Sequence, residues 1–275
     1  MPPALLHRRH ALRVLLGGGA AALGGYAVAI EPAWLDVTEH DVPVPRLPRA
    51  LAGYRIAQLS DLHLHSLGRV HDQVFSALRA RSVQLVVITG DAVDREVALP
   101  VLTELCHGLA ANGCAMLATL GNWEHWGDVP REALRAAYAR AGARLLGDES
   151  LRLDAGVAVI ATDDSCSGNA DVATALRAVP PADVRLFLSH APGLFDDLPS
   201  GAPPFHLGLA GHTHGGQICA LGGAVWVPPG SGRFRAAWYA TAGGPLYVSR
   251  GVGTSVVPAR FTCRPELPIF RLVPA

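Results

Sequence analysis

The chain has 275 residues, of which half are hydrophobic and 17% are charged. This composition excludes a largely disordered protein, because disordered chains carry too little apolar surface to build a core, and the length suits one large domain. Lys and Arg together number 23, as do Asp and Glu, so the formal net charge is zero. No nucleic-acid partner is expected, since such proteins normally carry a basic excess.

Residues 1–30 are typical of an export signal or a membrane anchor rather than of a folded domain. Arg8 and Arg9 precede an uncharged, Gly- and Ala-rich run over residues 14–30, in the layout of a twin-arginine signal. The AVA at 27–29 is a candidate cleavage site. The 17-residue run is also at the lower limit for spanning a bilayer. We therefore expect an exported protein, either periplasmic or extracytoplasmic, or anchored in the cytoplasmic membrane.

A proline-rich, extended lead-in is predicted for residues 31–53, and a regular pattern begins at residue 54. Six short apolar runs follow, at 54–60, 84–90, 115–121, 157–163, 185–190 and 206–211. Their length and Val, Ile and Leu content predict strands that are buried on both faces. Helical patterns at 69–81 and 130–142 lie between them. This alternation predicts an α/β sheet with helices outside.

Polar side chains follow five of the six runs directly, where the sheet edge is expected. They are Asp61, His63 and His65, then Asp91 and Asp94, then Asn122, then His190, and last His212 and His214. In open α/β sheets, binding sites form beyond the carboxyl ends of the strands. We therefore expect five separate segments to bring these groups to one edge.

Carboxylate, imidazole and amide groups together favour divalent ions such as Mn, Zn or Fe. In the DLH and HTH segments the polar residues are two apart, so they face the same way on extended backbone. Gly90, Gly121 and Gly211 are expected to allow sharp turns where strand meets loop.

The ordered motifs resemble those of the calcineurin-like metallophosphoesterase superfamily. They are DLH at 61–63, GDAVD at 90–94, GNWE at 121–124, SH at 189–190 and GHTH at 211–214. The resemblance covers residues 54–275. The closing stretch at 247–272 is similar to an exported or membrane-associated bacterial phosphodiesterase branch of that family.

The resemblance implies a single catalytic domain over 54–275, folded as a four-layer αββα sandwich with two metal ions at the strand ends. One metal would take Asp61, His63 and His214, and the other Asn122, His190 and His212, with Asp91 bridging the pair. The implied activity is hydrolysis of phosphodiesters or phosphomonoesters by a metal-bridging hydroxide, whose pKa both ions lower.

The sequence departs from the family pattern at Trp123, where a histidine that helps the leaving group is normal. An indole offers only one N–H donor and no acid. Three alternatives stay open: His125 acts instead, His65 acts instead, or the leaving group needs no acid. An activated aryl oxide or a phosphate leaving group fits the third alternative, because a general acid then contributes little.

Two other functions compete with phosphate ester hydrolysis. One is a pyrophosphatase that cleaves a nucleotide-linked lipid precursor, although export argues against a cytoplasmic substrate. The other is a metal-binding protein without activity, which the complete ligand set argues against. Membrane association is expected, and the expected substrate is a phosphate ester, either free or linked to a membrane lipid.

Overall fold

The structure is a computed structural model that describes residues 18, 19 and 21–275. Arg8 and Arg9 lie outside the described residues, so the twin-arginine assignment stays a prediction. Within the described residues, none of the helices has the length and apolar character needed to cross a bilayer.

Two six-stranded sheets form the centre of the domain. The first contains β1 (Asp36–Val44), β2 (Arg55–Leu59), β3 (Leu85–Thr89), β4 (Ala115–Thr119), β5 (Ala143–Leu145) and β14 (Glu266–Pro274). Its spatial order is β1-β14-β2-β3-β4-β5, and β2 to β5 run parallel. The second contains β6 (Glu149–Arg152), β7 (Val157–Ala161), β8 (Val184–Leu188), β9 (Leu207–Ala210), β12 (Ala237–Ala240) and β13 (Pro245–Val248). Its order is β12-β13-β9-β8-β7-β6, with β7, β8, β9 and β13 parallel.

The expected lead-in is extended over its central part, and it belongs to the first sheet. β1 lies in this segment and pairs in parallel with β14 along all nine of its residues. Residues 36–44 are therefore an edge strand of the catalytic domain.

Helices pack on the outer face of the first sheet. They are α1 (Arg69–Arg81), α2 (Leu99–Ala110) and α4 (Arg131–Arg140), while the short α3 (Asn122–Trp126) lies directly after β4. Alternate residues of a strand face opposite sides of its sheet. Val86 and Ile88 of β3 accordingly join the core beneath the helices, whereas Leu85 and Val87 join the core between the two sheets.

The outer face of the second sheet carries a thinner layer. It consists of α5 (Val172–Leu176), the turn Pro192–Asp196 and a third core cluster that contains Phe187, Phe195 and Phe205. The four-layer αββα sandwich expected from the sequence is confirmed. All six predicted apolar runs are strands of it, and the helices predicted at 69–81 and 130–142 are α1 and α4.

The N-terminal segment that the structure describes is attached to the domain. Ala27 accepts a hydrogen bond from the backbone N–H of Arg260 at 2.8 Å, and the ring of Tyr26 lies edge-on to that of Phe261. Glu31 is fully buried, and its carboxylate accepts from the N–H groups of residues 262 and 263. Residues 26–31 therefore pack against the loop that precedes β14.

Candidate metal centre

The carboxyl ends of strands from both sheets meet at one edge of the sandwich. The loops after β2, β3 and β4 come from the first sheet, and those after β8 and β9 come from the second. They carry Asp61, His63, Asp91, Asn122, His190, His212 and His214, and each of these seven is at most 6% exposed. Burial of so many polar groups at one place requires a partner for them.

The seven side chains form two clusters. The ligand atoms of Asp61, His63 and His214 all lie within 4.8 Å of one another, and so do those of Asp91, His190 and His212. The amide oxygen of Asn122 joins the second cluster, 3.1 Å from Nε2 of His190. The structure thus brings together all seven predicted ligands and divides them as the family resemblance implies.

The spacing of the donor atoms fits a metal ion. Nε2 of His190 lies 3.1 Å from Oδ2 of Asp91 and 3.2 Å from Nδ1 of His212. In the other cluster, Nε2 of His214 lies 3.1 Å from Nε2 of His63 and 3.4 Å from Oδ1 of Asp61. Atoms that bind one ion at about 2.1 Å are roughly 3.0–3.5 Å apart. Mixed nitrogen and oxygen donors at this spacing suit Mn, Zn or Fe(II).

Asp91 is the one acidic side chain of these clusters that approaches both of them. Its Oδ2 lies 3.1 Å from Nε2 of His190 in one cluster and 3.8 Å from Nε2 of His63 in the other. Oδ1 is fixed by the backbone N–H of Trp123 at 2.9 Å. This position between the clusters is the one that a carboxylate shared by two ions would need.

Three imidazoles are oriented by partners outside the clusters. Nδ1 of His190 donates to the carbonyl of Thr89 at 2.8 Å, and Nε2 of His212 donates to the carbonyl of Pro229 at 2.7 Å. A carbonyl oxygen only accepts, so in each neutral ring the nitrogen inside the cluster keeps its lone pair. Nδ1 of His63 lies 2.6 Å from Oδ1 of Asp94, which has the same effect. Asp94 therefore orients the imidazole of His63.

The backbone at the ligands is strained. Asp61, His63, Asp91, His212 and His214 all have positive φ, between 44° and 69°. This left-handed region is uncommon for residues other than glycine and costs of order 1–3 kcal/mol each. Five such residues in one site show that the surrounding structure imposes the ligand geometry.

Glycines make room for the ligands rather than serving only as turns. A Cβ on Gly121 would lie 2.3 Å from Oδ1 of Asp91, and one on Gly211 would lie 2.4 Å from Oδ2 of Asp61. Gly121 has extended backbone, with φ −117°. Gly90 has φ +77°, and its Cβ would lie 2.6 Å from Nδ1 of His190. The expectation of sharp turns therefore holds for Gly90 but not for Gly121, which is needed for close approach.

Glu124 joins two of the ligand loops. Its buried carboxylate accepts four backbone hydrogen bonds, from Gly121, Asp91, Ala92 and Val93, at 2.6–3.2 Å. Burial and the charge of Asp91 raise the pKa of Glu124 to about 7, against the effect of these N–H groups. Because the four donors come from the loops after β3 and β4, Glu124 fixes the distance between Asp91 and Asn122.

Comparison with known proteins is consistent with this geometry. The sequence profile described as Calcineurin-like phosphoesterase matches residues 54–216, more than half of the chain. The chain belongs to this family. It is therefore a metal-dependent phosphoester hydrolase, and its candidate ligands form the two clusters of a binuclear metal centre.

Two relatives of similar length align with almost the whole chain, and a longer relative aligns with 94% of it. An uncharacterized metallophosphoesterase of Bacillus subtilis (strain 168), YkuE, is 29% identical, with 97% of this chain and 98% of that protein aligned. Phosphodiesterase YaeI of Escherichia coli (strain K12) is 27% identical over 98% of this chain and 100% of its own. A transmembrane protein with metallophosphoesterase domain from Bos taurus is 28% identical over 94% of this chain and 61% of its own.

A cavity of about 400 Å³ opens beside the two clusters, and we call it the apolar cavity. Its base is formed by Asp91, Asn122, His212 and His214. Trp123, which replaces the histidine of the calcineurin-like pattern, forms part of its wall. The indole lies edge-on to the ring of His63, with centroids 5.8 Å apart.

The two histidines predicted as substitute acids lie elsewhere in the described structure. Neither His65 nor His125 is among the described residues that line the apolar cavity. The side chain of His65 is 78% exposed. Nε2 of His125 lies 2.7 Å from Oδ1 of Asp163, whose Oδ2 accepts from Arg131 at 2.9 Å. The hydrogen bond to Asp163 raises the pKa of His125, although burial opposes it. A catalytic role for either histidine stays a prediction.

Proposed function

We propose that this phosphoesterase hydrolyses phosphate esters with two divalent ions held by the seven residues, at the outer side of the cytoplasmic membrane. The observation that carries the two-metal assignment is the carboxylate of Asp91, 3.1 Å from His190 and 3.8 Å from His63. Asp61, His63 and His214 would hold one ion, and Asn122, His190 and His212 the other.

When bound, the two ions supply an activated water and neutralise charge on the phosphoryl oxygens. The protein itself holds the ligand side chains in the orientation that metal binding requires. Thr89, Pro229 and Asp94 direct three imidazole lone pairs inward. Glu124 holds two ligand loops together. Trp123 lines the cavity beside the ligands and packs edge-on against His63.

We propose that the leaving group departs without a general acid. Trp123 occupies the family's histidine position and lines the apolar cavity, whereas the described lining contains neither His65 nor His125. Good leaving groups, such as aryl oxides or phosphate, should then be strongly preferred. His125 and His65 are the competing acids, and their replacement distinguishes the alternatives.

Export and retention at the membrane are also proposed. Arg8 and Arg9 have the spacing of a twin-arginine signal, and one relative is described as a transmembrane protein. Cleavage after residue 29 would remove Tyr26 and Ala27, which contact Phe261 and Arg260. These contacts favour a retained anchor over a cleaved signal.

A C-terminally tagged chain should therefore stay full length in the membrane fraction, and replacing both arginines by Lys should block its export. A shortened, released product would contradict retention.

The two-metal assignment is tested by metal analysis of Asp91→Asn. The unmodified protein should bind close to two ions and hydrolyse aryl phosphate esters, and Asp91→Asn should lose both ions or nearly so, since Asp91 alone approaches both clusters. Asp154→Asn, an exposed carboxylate in a surface turn, is the matched control. One tightly held ion that survives Asp91→Asn would overturn the proposal.

A further inference from the structure

The wall of the apolar cavity is unusually hydrophobic for a site that binds a charged phosphate. Its apolar part comes from α3, from the hairpin of β10 (Cys219–Ala220) and β11 (Gly223–Ala224) with its flanks, and from the loop at 255–257. The main apolar residues are Trp123, Trp126, Ile218, Trp226, Val256 and Val257. Trp226 and Val256 are 64% and 85% exposed. Exposed apolar surface around a site marks an interaction with an apolar group.

Two polar side chains of the wall, Gln217 and Thr213, are already hydrogen-bonded within the protein. The side-chain amide of Gln217 donates to the carbonyls of Ser255 and Val257, and its oxygen accepts from the N–H of Ser255. The hydroxyl of Thr213 donates to the carbonyl of Arg235 and accepts from the N–H of Gly215. Among the described lining residues there is also no Arg or Lys. This wall therefore offers no cationic side chain to bind a second anionic group.

Val256 of the cavity wall and Leu221 of the neighbouring hairpin turn adopt backbone conformations that do not suit apolar residues. Val256 has φ +62°, which is an outlier for a β-branched residue. Leu221 has φ +53° in the two-residue turn between β10 and β11, where Gly222 follows with φ +82°. Such turns favour Asn, Asp or Gly at this position. Both side chains are exposed, Leu221 completely. Neither core packing nor solubility accounts for these residues.

The part of the cavity wall at residues 255–257 is also close to the N-terminal segment. The chain from 255–257 continues to Arg260 and Phe261, which contact Ala27 and Tyr26. Phe261 in turn bonds to Gln217 beside the hairpin. The wall of the apolar cavity and the proposed anchor therefore lie on either side of the same loop.

We propose that the substrate is an amphiphilic phosphate ester whose apolar chain lies in the apolar cavity while its phosphate reaches the metal ligands at the base. This inference rests on the proposed phosphoesterase function and deepens it. The reaction is hydrolysis: water adds a hydroxyl to phosphorus and releases its other proton to solvent, the bond from phosphorus to the leaving oxygen breaks, and the leaving group carries away the electron pair. The chain remains attached to the phosphate that is released.

The test uses p-nitrophenyl alkyl phosphodiesters with methyl, butyl and octyl chains, all below the concentration at which they aggregate. The leaving group is constant, so only the apolar chain varies. With Mn-loaded protein, kcat/KM should rise by up to about fourfold for each methylene that becomes buried. Between methyl and octyl esters we expect a rise of at least about 10²-fold.

Two variants of the cavity wall connect the preference to the cavity. Val256→Asn places a residue that tolerates positive φ, so it should fold at least as well as the parent protein. Val256→Asn and Trp226→Ser should each lower the octyl-to-methyl ratio of kcat/KM by threefold or more. Val97→Asn removes an apolar residue that is 83% exposed and lies in the turn Glu96–Ala98, outside the cavity, and it should keep the ratio.

The outcomes separate the two proposals. Equal kcat/KM for all three chains, with measurable hydrolysis, would overturn the amphiphile and leave the phosphoesterase standing. A chain-length preference that neither Val256→Asn nor Trp226→Ser reduces would also overturn it, because the chain would then bind elsewhere. Failure to hydrolyse any ester with two metals bound would remove the proposed function and the inference together.

Discussion

Gly121→Ala should disable the metal centre through a single methyl group. The new Cβ would lie 2.3 Å from Oδ1 of Asp91 and 2.5 Å from its backbone nitrogen, whereas ordinary contacts begin at 3.4 Å. The backbone nitrogen cannot rotate away, because Glu124 binds the N–H groups of both Asp91 and Gly121. The two loops must therefore separate by about 1 Å, which is far beyond the ~0.2 Å tolerance of a metal–ligand distance.

The expected magnitudes follow from that displacement. Overpacking of this kind destabilises a protein by about 1–3 kcal/mol. A displacement of about 1 Å at a catalytic group lowers kcat/KM by roughly 10²-fold. Bound metal should fall well below two ions per chain. Gly68→Ala is the control, because a Cβ there meets no atom within 4 Å and φ is −149°. Urea unfolding in the presence of chelator, elemental analysis and aryl ester hydrolysis measure the three effects. If Gly121→Ala keeps two ions and activity within threefold of the parent, the argument from close approach is refuted.

Three further predictions concern residues around the clusters. Asp94→Asn should weaken the metal site that contains His63 by roughly 10–100-fold and spare the other, as measured by metal titration. His125→Gln should lower the free energy of unfolding by about 1 kcal/mol at pH 6, a value reduced by the partial exposure of the pair with Asp163. The pKa of His125 is raised in the folded state, so this difference is full below pH 6.5 and should vanish as the pH rises through the raised pKa, in urea titrations at pH 6 and pH 9. Trp123→His should speed alkyl ester hydrolysis by roughly 10²–10⁴-fold while changing aryl esters little; an equal effect on both would refute departure without an acid.

The strands around the site could be predicted from the sequence because they are buried on both faces. The run at 85–89, LVVIT, is fully buried, and continuous apolar character is its direct consequence. β1 could not be found in this way. Its sequence, DVTEHDVPV, is polar and contains a proline, and its pairing depends on β14, more than 200 residues later. Pairing between distant segments leaves no local pattern.

The ligand positions were predictable for a similar reason, since each follows a strand that was itself predictable. The interactions that hold the ligands were not. Glu124 lies three residues after Gly121, which is the spacing of a capping box, and this spacing was the one available signal for its bond to that N–H. Its bonds to the loop after β3 depend on the packing of two loops. Residue type alone does not predict the left-handed backbone of Asp61 and His214, because most aspartates and histidines adopt other conformations even though both types are enriched in this region.

Backbone strain and repulsion between carboxylates both disfavour the geometry of the site. Burial, together with the charge of Asp91, raises the pKa of Asp61, so the two carboxylates repel each other unless cations neutralise them. The close contacts at Gly121 and Gly211 leave these carboxylates no space to move apart. The force that holds them must therefore come from outside the site. The ligand loops leave strands of both sheets, and the core between those sheets is the common support. Packing of the sandwich therefore determines the geometry of the metal centre: each cluster has ligands from both sheets, so any change that shifts the sheets relative to each other separates the ligands within each cluster.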